Sequence, residues 1–236
     1  MKKVEELRHY GKAFSDAEGA WPDDVRARMK KRAMKEISAN IPWSHRPRFA
    51  WYMIQGKRRA AALDLDDLRE NGMTNARFLS QQLDYLAAFW ALVQLYDSSR
   101  AVEIMTSVMD KSAREPMLYC LPEPDAVREV GEPMEVFRDY LRPSQDAASE
   151  AGCNEIQIAE DRPGVFEFHV TWCIWLELAE RMGIPEACLP NCYSDDVIFP
   201  EYFEQLGITY SRSGTLARGC ACCDFRFEAE QKESEA

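Results

Sequence analysis

Residues 155–160 and 165–171 each alternate between apolar and polar side chains, with Asp161-Arg162-Pro163-Gly164 standing between them. A period of two sends successive side chains to opposite faces of a strand, and Pro-Gly favours a turn. The pair predicts a β-hairpin. On its second strand Phe166, Phe168 and Val170 share one face, while Glu167, His169 and Thr171 share the other. Residues 206–212 and 222–228 predict two more strands. In the latter Cys223, Phe225 and Phe227 face one way, Asp224 and Arg226 the other. Four such segments predict one antiparallel sheet in the C-terminal half.

Upstream the period changes to that of a helix. Residues 75–96 carry Phe78, Leu79, Leu83, Leu86, Phe89, Trp90 and Val93 at three- and four-residue spacing. This predicts a long amphipathic helix with Thr74 as its N-cap. Pro22 suits the first position of a helix running to about residue 39. A loop at 41–47 follows, then helices at about 48–62, 63–70 and 99–113, the last capped by Ser98 and Ser99. Residues 1–20 are expected to be partly helical and 117–121 to form a short strand. Pro122, Pro124, Gly131, Pro133 and Pro143 should break the next stretch into short helical pieces. After the hairpin, a helix is expected at 172–182, ending at Gly183, and another starting at Ser194.

The expected class is therefore α+β, a helical N-terminal half with a C-terminal four-stranded antiparallel sheet packed by helices. The expected division is a helical extension at 1–74, an α+β domain at 75–228 and an acidic tail without fixed structure at 229–236.

A net charge of −11 argues against nucleic acid as the partner, because phosphate contacts need a basic face. Arg26, Arg28, Lys30, Lys31, Arg32 and Lys35 read either as a local nucleic-acid patch or as a solvated helix face. The N-terminus lacks the apolar run of a signal peptide, and the longest apolar stretch, 85–96, is too short to span a bilayer. A cytoplasmic location is expected, with the eight cysteines reduced and not arranged as a disulfide framework. The expected partner is a small-molecule substrate, with neither nucleic acid nor membrane; a homo-oligomer is left open. No Gly-rich phosphate loop and no Gly-x-Ser-x-Gly elbow occurs.

Three C-terminal segments carry a family likeness when taken together. They are Phe168-His169-Val170-Thr171-Trp172-Cys173, Cys192-Tyr193-Ser194-Asp195, and residues 212–219 followed by Cys223-Asp224-Phe225-Arg226-Phe227. In this order and spacing, over about residues 75–228, the chain resembles the L-2-amino-thiazoline-4-carboxylic acid hydrolase family. That resemblance implies an α+β fold and a hydrolase that opens a small C–N or C–S heterocycle of the amino-thiazoline-carboxylate kind. Cys220, Cys222 and the long helical N-terminus depart from the family pattern. The spaced cysteines and glycine turn also resemble non-enzymatic small-molecule-binding domains of the four-vinyl-reductase type. A metal-binding thiol protein is a third reading.

Opening a cyclic amidine needs a nucleophile, a proton donor for the leaving atom and a group to hold the substrate. Cys173, where a strand gives way to a helix, and Cys192 are the candidate nucleophiles. Either is equally a buried structural thiol. His169 and Asp195 are candidate proton carriers, although Ser194-Asp195-Asp196 also fits a helix N-terminus. Thr215 and Arg212 are candidates to bind a substrate carboxylate, with Asp224 and Cys223 beside them. Asp224 could instead pair with Arg212 or Arg226, and Cys223 has the pattern of a core residue. No cofactor is required by this chemistry. Zinc held by Cys173, Cys192 and His169 is a further possibility, although no Cys-x-x-Cys spacing supports it. The sharpest expectation is that Cys173, Cys192, Asp195, His169 and Asp224 line one pocket on the polar face of the sheet, under the N-terminal helices.

Overall fold

The structure, a computed structural model, describes residues 21–230 together with Val4 and Leu7; the expectations for residues 1–20 and for the end of the acidic tail fall largely outside these residues. Helix α1 spans Asp23–Asn40 with Pro22 at its N-cap, α2 spans Arg46–Ala61, α3 Asp66–Glu70 and α4 Ala76–Leu95. The N-cap of α4 is Asn75, not Thr74: Asn75 Oδ1 accepts from the N–H of Phe78 at 2.9 Å. Helix α5, Ser98–Ser112, is capped by Asp97 instead of the serine pair, with Asp97 Oδ1 accepting from Arg100 N at 2.8 Å. In both cases the cap falls one residue away from the expected one, on an Asx side chain that reaches the third N–H.

Two expectations for the middle of the chain fail. Residues 117–121 do not form a strand. Helix α6 occupies Arg114–Cys120, separated from α5 by Ala113 alone, which keeps right-handed helical dihedrals. A short apolar run cannot be told from a helix by periodicity. Helix α7, Pro124–Val130, is short as expected, but α8 runs unbroken from Pro133 to Glu150 through Pro143. An interior proline costs about 3 kcal/mol. Burial of Met134, Phe137, Tyr140, Leu141 and Ala148 on one face of α8 outweighs that cost.

The hairpin forms as β1, Asn154–Arg162, and β2, Val165–Cys173, with Pro163-Gly164 as the turn; Asp161 and Arg162 belong to the strand. Helix α9, Ile174–Arg181, follows directly, with Cys173 as its N-cap. Helix α10 spans Cys188–Glu204, so Ser194 lies in its interior and caps nothing. Strands β3, Ile208–Ser211, and β4, Cys223–Ala229, complete one antiparallel sheet of order β1-β2-β4-β3. The α+β class is as the alternation implied.

Register decides which face is buried. Phe166 pairs with Phe227, Phe168 with Phe225 and Val170 with Cys223, and these six side chains are buried. They pack against Phe137 and Tyr140 of α8 and Tyr202 and Phe203 of α10. Phe168 and Phe225 stack at 4.9 Å between ring centroids, and Phe137 meets Phe203 edge-on at 4.5 Å. The N-terminal helices gather around α4 in a second core containing Phe49, Phe89, Leu92 and Ile104. Helices α2 and α4 cross closely at Gly56, where a Cβ would lie 2.8 Å from the carbonyl oxygen of Ala87.

The polar face of the sheet is not roofed by the N-terminal helices. There Arg226 bonds Glu160 at 2.6 Å and Glu167 at 2.5 Å, and His169 Nε2 lies 2.8 Å from Glu167 Oε1. The pairing of Arg226 with Asp224 is not formed, because Arg226 satisfies these glutamates instead. Among the described residues, no helix is long and apolar enough to cross a membrane.

Candidate functional site

A cavity of about 310 Å³ lies on the aromatic side of the sheet. Its floor is Phe168, Phe225 and Phe227 of β2 and β4; its walls come from α4, α5, α6, α8 and α10, with Trp21 and Met29 from the start of the described chain. Residues before position 115 thus wall the site, as the N-terminal helices were expected to do, but over the opposite face of the sheet. A second recess of about 440 Å³ between α2, α3 and α4 holds no thiol.

Helix α10 turns one stripe towards the cavity. Cys188, Cys192, Asp195 and Phe199 recur at helical spacing and all line it. Cys173 joins them from the strand-to-helix junction, and Cys223 from β4. Cys188 Sγ lies 4.0 Å from Cys192 Sγ. The neighbouring Cys188 thiol is the largest influence lowering the Cys173 pKa. The N–H groups of Trp175 and Leu176, at the start of α9, act in the same direction. No capping bond of ordinary geometry is closed there. Burial and the charge of Asp195 oppose the effect, and the net shift is downward. Cys188 is displaced upward, by Cys173 and Cys192 beside it and by burial. Cys223 is the opposite case: burial pushes it up to about 12, despite the N–H of Leu216 at 3.2 Å from its sulfur.

Asp195 and Asp196 share the Arg212 cation, and Arg218 approaches Asp196 at 3.8 Å from the exposed side. Arg212, at the end of β3, is only 2% exposed along its side chain. Its Nη1 donates to Asp195 Oδ2 at 2.9 Å, its Nε to Asp196 Oδ1 at 3.0 Å, and its Nη2 to Asp196 Oδ1 at 2.7 Å and to the Cys192 carbonyl at 2.5 Å. The guanidinium also sits 5.1 Å from the Phe225 ring centroid. Desolvation raises the Asp195 carboxyl to about 6 although Arg212 pulls it down. A carboxyl poised there can both give and take a proton near neutrality.

The remaining expected site residues lie elsewhere. His169 and Asp224, paired in register across β2 and β4, project to the outer face and do not line the cavity. A site uniting them with Cys173 on the polar face is not what the structure builds. Asp224 accepts from the N–H of Ser213 at 3.0 Å and of Gly214 at 2.6 Å, and from the Ser213 hydroxyl. Burial raises its pKa but these donors outweigh it, leaving the carboxyl below the usual range. It braces the loop instead of pairing with Arg212. Thr215 is buried, its hydroxyl unpartnered and outside the cavity lining. With His169 on the other side of the sheet, the trio Cys173, Cys192 and His169 is not assembled. Among the described residues no group of three or more His, Cys, Asp and Glu side chains is placed to hold a metal ion.

Sequence reasoning passed over two residues. Cys188 belongs to the cavity stripe, and its spacing of four from Cys192 was the available signal. It went unread because the helix was expected to begin at Ser194. Gln145 on α8 is 9% exposed and lines the cavity with its Oε1 unpartnered. No sequence pattern marks it.

The family model described as L-2-amino-thiazoline-4-carboxylic acid hydrolase matches residues 86–227. No curated protein matches the chain, and no solved structure does. The matched span takes in β1 to β3, β4 as far as Phe227, α10, Cys173 and Asp195. It omits Trp21, Met29, Phe78, Gln81, Gln82 and Tyr85, which complete the cavity wall.

Proposed function

Because the chain belongs to the L-2-amino-thiazoline-4-carboxylic acid hydrolase family, we propose that it opens a small cyclic amidine at a C–N or C–S bond, with Cys173 as nucleophile and Asp195 as proton carrier. The observation that carries this reading is the convergence of a thiol with lowered pKa and a carboxyl poised near 6 on one cavity. The Cys173 thiolate adds to the central carbon of the amidinium, forming a C–S bond and a neutral tetrahedral adduct. Collapse breaks one ring bond, and the departing nitrogen or sulfur takes the proton of Asp195. Water then adds to the same carbon, giving a proton to the Asp195 carboxylate, and Cys173 leaves as thiolate. The surplus amidinium proton returns to solvent, so one water is consumed and no electrons change hands.

Arg212 serves this scheme by holding Asp195, since four of its five N–H donors are engaged by Asp195, Asp196 and the Cys192 carbonyl. The neighbouring Cys188 thiol steadies the thiolate. The experiment is turnover of a panel of cyclic amidines followed by mass spectrometry. The expected product gains the mass of one water, and denatured protein quenched during turnover carries an adduct on Cys173. Product formation undiminished in Cys173→Ser would overturn the covalent route.

A further inference from the structure

Resting on the hydrolase reading for its location, we propose that this cavity selects a cyclic amidine without a carboxylate, carrying an apolar ring or chain in its place. The first ground is charge. Arg212 and Asp195 are the charged side chains that line the cavity among the described residues. Arg212 is held by Asp195, by Asp196 and by the Cys192 carbonyl. Arg218, outside the cavity lining, also approaches Asp196 at 3.8 Å, so two guanidinium groups meet two carboxylates and the centre has no net charge when Asp195 is ionised. Above about pH 6, with Asp195 ionised, a substrate carboxylate would enter a desolvated space beside a like charge and with no surplus positive charge to meet it, which is costly.

The second ground is an acceptor awaiting a donor. Gln145 Oε1 is buried in the wall without a hydrogen-bond partner. An amidine N–H satisfies it with the amide as it stands, whereas a carboxylate would require the amide to turn and present its NH2. The third ground is shape. About 310 Å³ lies in the range that encloses drug-sized ligands, well beyond a five-membered ring with one carboxylate. Phe78, Trp175 and Phe199 supply aromatic surface for an apolar substituent. Trp21, Met29, Phe78 and Tyr85 precede the family-matched span, so this end of the cavity is built by the chain's own N-terminal helices.

The test uses the full chain as Cys173→Ser, so that binding is read without turnover, by calorimetry with three probes. These are 2-amino-2-thiazoline-4-carboxylate, 4-benzyl-2-amino-2-thiazoline, and 4-benzyl-2-methyl-2-thiazoline, which lacks the exocyclic N–H. The benzyl amino probe is expected to bind at least about tenfold more tightly than the carboxylate. Adding Gln145→Met should weaken the benzyl amino probe roughly five- to tenfold and leave the 2-methyl probe unchanged. A carboxylate probe that binds as tightly as the benzyl one overturns the proposal, even if Gln145→Met fails to fold. So does equal weakening of both benzyl probes by Gln145→Met. A benzyl amino probe that binds tightly yet is never hydrolysed by the native chain supports this selectivity and defeats the hydrolase reading. Tight binding and hydrolysis of the carboxylate do the reverse.

Discussion

Asp195 accepts a 2.9 Å hydrogen bond from Arg212, yet its carboxyl is raised to about 6, so desolvation outweighs the ion pair. The sign for stability follows. A folded pKa above the unfolded value of about 3.9 means the native state binds more protons in the window between them. Stability from this group is complete below that window and is lost as pH rises to about 6, by an amount on the order of 3 kcal/mol. Asp195→Asn should abolish this component, so the difference in unfolding free energy between native and variant should change between pH 4 and 6 and be flat above. Parallel curves would show that Asp195 is not the proton-holding group. In the same variant, turnover should fall by roughly 10² or more.

The fold was written plainly in some residues and hidden in others. Phe166, Phe168 and Val170 announced the buried face of β2 because a strand's period is short and local. The site was misplaced for a physical reason: polar side chains of the sheet were expected to carry the chemistry. They lie on the outer face, and the working polar groups arrive from α10 onto the aromatic face. That arrival depends on Arg212 meeting Asp195 across the junction of β3 with α10, a tertiary contact with no local signature. Pro190 and the Ser194-Asp195-Asp196 triplet further disguised the helix that aligns Cys188, Cys192 and Asp195. Gln145 is known only from what surrounds it.

Cys173 should be the thiol first modified by iodoacetamide. Peptide mapping after brief treatment at pH 7 is expected to find it labelled ahead of Cys153 and Cys223, which burial pushes to higher pKa. Cys220 is exposed and provides the internal comparison for access alone. If Cys220 reacts faster per molecule than Cys173 throughout the range from pH 6 to 8, the lowered pKa has no chemical consequence.

His169→Ala should leave turnover within about twofold of native, because the ring lies on the far side of the sheet from the cavity. Its contact with Glu167 is partly exposed, and such pairs contribute about 0–1 kcal/mol. A loss of activity comparable to that of Cys173→Ser would require the site to be moved to the outer face.

Arg212→Met removes the buried cation that joins Asp195 and Asp196, leaving Asp195 without its partner while Asp196 keeps only the 3.8 Å approach of Arg218. Breaking a fully buried pair costs about 3–5 kcal/mol, and the partial exposure of both carboxylates should bring the loss here below that range. Denaturant unfolding at pH 7 should register that loss, and it should shrink at pH 5 as Asp195 takes up its proton. Restoring charge balance with Asp196→Asn in the same chain should recover part of it. A loss independent of pH would mean that Arg212 acts by packing on Phe225 and not through the carboxylates.

Gly56 separates two opposing effects of a methyl group. In a helix interior Ala is favoured over Gly by about 1 kcal/mol. Here the added Cβ would lie 2.8 Å from the Ala87 carbonyl oxygen and 3.1 Å from the Ala87 Cα, backbone atoms that cannot rotate away. Helix α2 must therefore shift from α4, and overpacking of this kind costs about 1–3 kcal/mol. Gly56→Ala is expected to lower the unfolding free energy on balance. Because α4 carries Gln81, Gln82 and Tyr85 into the cavity wall, the same displacement should weaken binding of an apolar ligand while sparing the reactivity of Cys173. A variant more stable than native would mean that the two helices separate freely.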